Sequence, residues 1–260
     1  MLTGDAVKRL AISFLLLLLV APVAHAQTDG QLWGDFVFQW PKTHRFVYSL
    51  NLEPKVVVAV PPGDPNWWAL DVLPGASYVA KSWLDVTGEM TVGYTRQTND
   101  ENSVEVTARG GLHVHLLSRD LRTITTMGPM GLEHPPKRKV VLRDLLRVEE
   151  RNFFYNSGKP TSSTWRFRNR LEFQYPLDRE RISMDGTRYL TTDWEWFIPL
   201  GDPSERFSNR QRIRAGLGYR RDARFRFEAL YMWSRSRDTT QESYTTNDHT
   251  IDLRFNWVYR

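Results

Sequence analysis

Alternation of apolar and polar residues with a period of two runs through most of this 260-residue chain. The last ten residues, IDLRFNWVYR, show the pattern clearly. The apolar positions in this stretch are Ile251, Leu253, Phe255, Trp257 and Tyr259. Because successive side chains of a β-strand point to opposite faces, each such run predicts a strand with one apolar and one polar face. The chain is therefore predicted to be all-β.

The pattern recurs in about eleven segments, and residues 121–127 form a less regular twelfth candidate. Several segments run to a dozen residues, which suits the 9–11 tilted residues that cross a bilayer better than the usual globular strand. Single-chain bacterial membrane barrels have even strand numbers. We therefore predict a single antiparallel transmembrane β-barrel of about 12 strands, with 10 as the alternative. Residues 118–139 interrupt the alternation and are predicted to be a long loop or an insertion.

The N-terminus has the features of an export signal. Lys8 and Arg9 precede an apolar run at residues 10–20, and the small-residue motif AHA follows. This run is too short for a membrane anchor, so residues 1–26 are predicted to be a cleaved Sec-type signal peptide. The remainder, 27–260, is predicted to be one barrel domain. The chain contains no cysteine, which excludes disulfides, thiolate catalysis and thiolate metal sites.

Alternation alone does not decide which face of the barrel points outward, because a soluble lipocalin-like barrel alternates too. Two observations favour apolar residues outside and polar residues inside. Aromatic residues lie near strand ends, as in the interfacial girdles of membrane barrels: Trp40, Tyr94, Tyr175, Tyr219, Trp233 and Tyr259. In addition, the strand that carries Asp193 and Glu195 lies between two arginine-rich strands, so opposite charges would meet inside a common lumen.

Arginine dominates the basic residues, with 28 Arg against 7 Lys, and it is interleaved with acids along the chain rather than clustered. This distribution does not indicate a nucleic-acid interface. Arginine suits crowded, partly desolvated ion pairs because its planar fork binds carboxylates bidentately. We therefore predict a lumenal charge network with a structural role, formed by Arg147, Glu149, Arg151, Arg166, Arg168, Arg170, Glu172, Asp193, Glu195, Arg210, Arg212, Arg214, Arg226, Glu228 and Arg254.

An ordered set of motifs in the second half of the chain carries a family resemblance. These motifs are RVEER, WRFRNRLEFQYPL, EWFIPL, NRQRIRAGLGYR and FEALYMW, followed by a terminal strand after His249. In order and spacing, they resemble a bacterial outer-membrane β-barrel family catalogued as domain of unknown function 2490. The resemblance covers most of the mature chain and implies a fold and a location, with no known activity. The insertion at residues 128–139 departs from the compact pattern of that family.

Candidate catalytic and metal-binding residues are few. His113 and His115 share one strand face, but a third zinc ligand is not evident and Arg109 would repel a cation. A serine hydrolase could draw on Ser118, Ser183, Ser234, His113, His115 and His249, yet no nucleophile-elbow motif accompanies them. We predict no catalytic residues, no metal and no cofactor. The basic cluster at residues 137–139 is expected to be a solvated loop.

These observations predict an outer-membrane protein of structural or binding role, or a narrow, largely occluded solute path with an arginine-rich lumen. The alternatives are an outer-membrane enzyme acting on envelope lipids and a soluble periplasmic lipocalin-like binding barrel. The expected partners are outer-membrane lipid, lipopolysaccharide and the barrel-assembly machinery, with no nucleic acid. The expected location is the bacterial outer membrane.

Overall fold

Eleven long β-strands make up the ordered structure of the described part of the chain. The computed structural model describes residues 28–60, 66–98, 102–117, 140–201, 210–236 and 246–259. The strands are β1 (Thr28–Pro41), β2 (Phe46–Ala59), β3 (Trp67–Lys81), β4 (Leu84–Gln97), β5 (Ser103–His115), β6 (Val141–Tyr155), β7 (Ser162–Pro176), β8 (Thr187–Pro199), β9 (Arg210–Arg220), β10 (Phe225–Ser236) and β11 (Thr246–Val258). They form one closed barrel, so the all-β prediction is confirmed.

Sequential strands pair antiparallel, and the barrel closes by a parallel pairing of β1 with β11. The register of this closing pair is unbroken from Thr28 beside Asn247 to Gln39 beside Val258. The predicted count of twelve strands, or ten, differs from the eleven in the described residues. An odd number leaves the first and last strands pointing the same way, so they can pair only in parallel. Residues 121–127, the uncertain twelfth segment, and the predicted signal peptide lie outside the described residues.

Aromatic side chains stack along the outer face of the β1–β11 seam. Because the strands are parallel and in register, equivalent side chains stand side by side and their rings overlap face to face. Three ring pairs share this arrangement: Phe36–Phe255 (5.2 Å, 6°), Phe38–Trp257 (5.2 Å, 12°) and Trp40–Tyr259 (5.6 Å, 11°). The aromatic side chains of the C-terminal strand therefore point out of the barrel.

The two faces of the barrel wall differ sharply in polarity. Large apolar side chains on the outer face are exposed around the barrel, from Leu32 on β1 to Ile251 on β11. The inner face buries charged groups, including Glu149 and Glu195, which have no exposed surface. The orientation expected from the sequence, with apolar residues outside and charged residues inside, is therefore confirmed.

The connectors separate by length between the two ends of the barrel. The tight connectors, residues 42–45, 82–83 and 221–224, share one end, here called the turn end. Five longer connectors share the other, here called the loop end: 60–66, 98–102, 156–161, 200–209 and 237–245. Two longer connectors, 116–140 and 177–186, are exceptions at the turn end. The alternation of tight and longer connectors that the sequence suggests is present along most of the chain.

Short polar side chains close the tight turns. Asp222 accepts hydrogen bonds from the backbone N–H groups of Arg224 (2.7 Å) and Phe225 (2.9 Å). Such bonds satisfy donors that the strand ladder leaves unpaired. Slight desolvation acts to raise the pKa of the Asp222 carboxyl, but these bonds and a contact with Arg221 outweigh it and hold the pKa below its ordinary value.

An apolar cluster fills the lumen at the turn end. The 177–186 connector places Ile182 against Val141 and Tyr189, and these side chains are 2%, 4% and 0% exposed. Tyr189 lies directly over Gly218 on β9, where an added Cβ would come within 2.1 Å of the tyrosine ring. Glycine at this position is therefore required for close packing at this end of the barrel.

We expect Gly218→Ala to destabilise the barrel by about 1–3 kcal/mol, because the buried Tyr189 ring has little room to move away from the new methyl group. The midpoint of urea unfolding measures the effect. Gly88→Ala is the matched control, since nothing lies within 4 Å of a Cβ built there. Equal midpoints for the two variants would contradict the packing described.

Candidate functional site in the lumen

All fifteen residues of the predicted lumenal charge network point into the barrel. Eleven of them are buried, and the other four, Arg170, Arg210, Arg212 and Arg254, line an internal cavity. They come from the inner faces of β6–β11, where alternation brings every second residue into the lumen. The structure therefore brings the predicted set together in one continuous lining.

Glu149 on β6 lies within 4 Å of four arginine side chains. Its carboxylate accepts a hydrogen bond from Arg166 Nε at 2.5 Å and another from Arg168 Nη1 at 3.1 Å. Arg109 Nε and Arg147 Nη1 lie farther away, at 3.6 Å and 3.7 Å. Four guanidinium groups thus surround one carboxylate that has no exposed surface. Their mutual repulsion is offset at this point only by Glu149 and the acids next to it.

Glu195 on β8 links the arginines of the two neighbouring strands. Its Oε1 accepts from Arg168 Nε on β7 at 2.5 Å, and its Oε2 accepts from Arg214 Nη2 on β9 at 3.2 Å. Arg214 Nε also donates to both oxygens of Asp193, at 2.7 Å and 3.0 Å. The expected bridging of two arginine-bearing strands by Asp193 and Glu195 is thus seen in these contacts.

Sequence reasoning left several lumenal charges out of the network. Arg143 donates to Glu172 at 2.5 Å, and Arg151 donates to both oxygens of Glu105 at 3.0 Å and 3.1 Å. On β2 and β3, Lys55 pairs with Glu53 at 2.9 Å and with Asp71. Further contacts join Glu89 to Arg147, and Asp35 and Asp252 to Arg254. The polar-face alternation of β1–β6 and of β11 is the signal that could have found them.

Phe197 and Trp33 face the lumen among these charges. Phe197 on β8 is 5% exposed, and the guanidinium groups of Arg166, Arg168 and Arg212 lie 4.9, 4.9 and 4.8 Å from its ring centre. Trp33 on β1 contacts Arg212 at 5.2 Å and Lys55 at 4.8 Å in the same way. These cation–π contacts hold flat guanidinium groups in place and cover them from water.

The lumen encloses a cavity of about 350 Å³ with an uneven charge lining. Among the described residues, twelve arginines and Lys55 line it, against eight Asp and Glu. Nine of these arginines come from β6–β9, whereas six of the eight acids come from β1–β5. The cavity therefore has a cationic wall opposite a mainly acidic one, with an excess of positive groups.

The family model of the protein of unknown function DUF2490 matches residues 30–245. This match covers β1–β10 and the whole of the predicted charge network except Arg254. The chain belongs to the DUF2490 family. No curated protein matches it significantly. The family name of this DUF2490 member carries no activity.

The histidines of this DUF2490 protein lie at separate places. His113 and His115 line the turn-end part of the cavity, and His115 Nε2 lies 2.9 Å from Asp85 Oδ2. Ser234 faces the lumen near the loop end of β10, whereas His249 lies on the outer face beside Tyr231. The described residues contain no group of three or more His, Asp or Glu placed to hold a metal ion. Ser118 and residues 137–139 lie outside the described residues.

No helix among the described residues has the length and apolar character needed to cross a membrane.

Proposed function

We propose that this DUF2490 protein is a β-barrel of the outer membrane of a diderm bacterium. Residues 1–26 would direct its export as a signal peptide and would then be cleaved. The observation that carries the proposal is the outer face, where large apolar side chains are exposed on β1–β9 and on β11. Water-exposed apolar patches of this extent are unusual on soluble monomers. Lipid solvates such a surface favourably and leaves the charged groups to pair inside the barrel.

Two further observations support the membrane location: the length of the strands and the hydrogen bonding of polar side chains on the outer face. The strands contain 11–15 residues, enough to cross a hydrocarbon layer when tilted. Polar residues on the outer face of β6 and β7 include Asp144 and Asn169, and Asn169 Nδ2 donates to Asp144 Oδ1 at 2.6 Å. Such mutual hydrogen bonding lowers the cost of placing a polar pair next to lipid.

The connector lengths suggest an orientation. Membrane barrels of bacteria have short periplasmic turns and longer extracellular loops. The turn end of this barrel would then face the periplasm and the loop end the outside. Because β1 and β11 run in parallel, β1 would begin outside while β11 would end in the periplasm.

The lumen favours a structural or binding role over a general porin. Arginine, glutamate and aromatic side chains crowd its middle, and Ile182, Val141 and Tyr189 fill it at the turn end. A barrel packed in this way leaves at most a narrow path for small anionic solutes. We propose no enzymatic activity and no cofactor. The partners would be outer-membrane lipid, lipopolysaccharide and the assembly machinery that inserts barrels.

Fractionation of cells that express the full chain tests the location. We expect the protein in the outer-membrane fraction, folded and shifted in mobility when samples are not heated before electrophoresis. Recovery from the soluble periplasm would contradict the proposal and favour a lipocalin-like binding barrel.

Reconstitution in planar bilayers and lipid vesicles tests the role. We expect neither steady large conductance nor lipid hydrolysis, because charged and aromatic side chains crowd the lumen and an apolar cluster packs inside it at the turn end. Large, weakly selective conductance would indicate a porin. Lipid turnover that is abolished by His113→Ala or His115→Ala would indicate an enzyme.

A further inference from the structure

Arg170, Glu195 and Arg212 lie side by side on the inner faces of β7, β8 and β9. Glu195 would be expected to pair with these two lateral neighbours. Its two oxygens are instead taken by arginines that reach it diagonally, with Oε1 bound by Arg168 Nε and Oε2 bound by Arg214 Nη2. The carboxylate between the two lateral arginines is therefore already occupied.

Among the described residues, neither lateral arginine has a hydrogen-bonded counter-charge. The Arg170 Nε is buried without a hydrogen-bond partner among the described residues, and Glu195, Asp193 and Glu172 act on this guanidinium only as nearby charges. The Arg212 contact with Glu195 is long, at 3.8 Å, and the Arg212 Nε is also buried without a hydrogen bond. Burying a guanidinium without a hydrogen-bonded anion is costly, so such a pair calls for an anionic partner.

The space beside these arginines suits a small anion. Both side chains line the cavity of about 350 Å³. Their strands are two apart in the sheet, which places the two backbones about 10 Å from each other, within reach of two long side chains converging on one ligand. The Arg212 guanidinium is held between the Phe197 and Trp33 rings. A planar fork fixed in this way is suited to bidentate recognition of an oxyanion.

We propose that Arg170 and Arg212 form a binding site for a small oxyanion of the phosphate class within the lumen. The proposal deepens the binding role proposed above by naming the ligand class and the residues. The oxyanion would complete the ion pairing that Glu195 cannot supply to both arginines. Free phosphate and the phosphate headgroup of a lipid share this chemistry.

Calorimetric titration of the purified full chain in an uncharged detergent tests the site. The probes are inorganic phosphate and an alkyl phosphate, both at constant ionic strength. We expect saturable binding that weakens about tenfold or more in Arg170→Gln and in Arg212→Gln, because each change removes a charge-assisted hydrogen bond. Arg221→Gln is the control, since this arginine lies on an exposed turn and carries the same charge. Preference for the alkyl phosphate would identify a lipid headgroup as the source.

Stability without ligand separates this role from a purely structural one. Arg143→Gln should unfold at a lower temperature, because its partner Glu172 would lose a 2.5 Å ion pair. Arg170→Gln and Arg212→Gln should unfold closer to the wild-type temperature than Arg143→Gln, since neither breaks a hydrogen-bonded ion pair. Equal phosphate affinity in Arg170→Gln, Arg212→Gln and Arg221→Gln, or no saturable binding of either probe, would overturn the proposal. The assay does not depend on cellular location, so a periplasmic protein that binds phosphate would refute only the membrane proposal.

Discussion

Glu149→Ala should destabilise the barrel by about 3–5 kcal/mol, the typical cost of removing one side of a buried ion pair. Glu149 has no exposed surface and binds Arg166 at 2.5 Å and Arg168 at 3.1 Å. The variant would leave these guanidinium groups near Arg109 and Arg147 without the carboxylate that separates them. The expected result is a much lower urea midpoint, read from tryptophan fluorescence of the purified barrel.

Glu150→Ala provides the matched control for this measurement. Glu150 is the next residue on β6, so its side chain points to the opposite face of the wall, and no carboxylate is lost from the lumen. The control should unfold close to the wild-type midpoint. If both variants unfold at the same urea concentration, the lumenal network contributes little to stability and its role must be sought elsewhere.

Leu217→Arg should reduce the yield of folded barrel in the membrane, at a cost of about 2–4 kcal/mol for a charge near the bilayer midplane. Leu217 lies on the outer face of β9 and is 38% exposed. In the proposed location its surroundings are hydrocarbon, which cannot solvate a guanidinium. The fraction of heat-modifiable protein in purified outer membranes measures the effect.

Gln211→Arg tests the same face of the same strand near its first residue, at the loop end. An arginine near the interface costs only about 0–1 kcal/mol, because it reaches the headgroups and water. We therefore expect the control to insert normally. An equal loss of folded protein in the two variants would indicate a general effect of added charge. Wild-type levels of folded protein in both would mean that this face does not lie in lipid.

The family resemblance could be predicted from the sequence, and so could the direction, into or out of the barrel, in which the side chains of each strand point. The family model matches residues 30–245, which agrees with the resemblance based on the arginine-rich motifs of the second half. The alternation of residues such as Arg166, Arg168 and Arg170 with apolar neighbours correctly assigns them to the lumen. Both inferences succeed because side-chain alternation is a local property of the strand backbone.

The pairing inside the lumen could not be predicted in the same way. The sequence indicates that acids on β8 lie between arginines on β7 and β9, but not that Glu195 would bind Arg168 and Arg214 rather than its direct neighbours Arg170 and Arg212. This pairing depends on the register of β7, β8 and β9 and on which arginine side chains extend diagonally to the neighbouring strand. The burial of Ile182 likewise depends on Val141, which lies on another element, strand β6.

The sequence by itself therefore determined the all-β class, the strand segments and the inward charges, because each follows from a period of two within a dozen residues. Only the tertiary structure decided the closure, in which β1 pairs with β11 in parallel and the described residues form eleven strands. It also decided which arginines of the lumen have an Nε without a hydrogen-bonded carboxylate among the described residues. Closure depends on contacts between strands more than two hundred residues apart in the chain, and the lumenal pairing depends on the register of neighbouring strands; local periodicity carries no information about either.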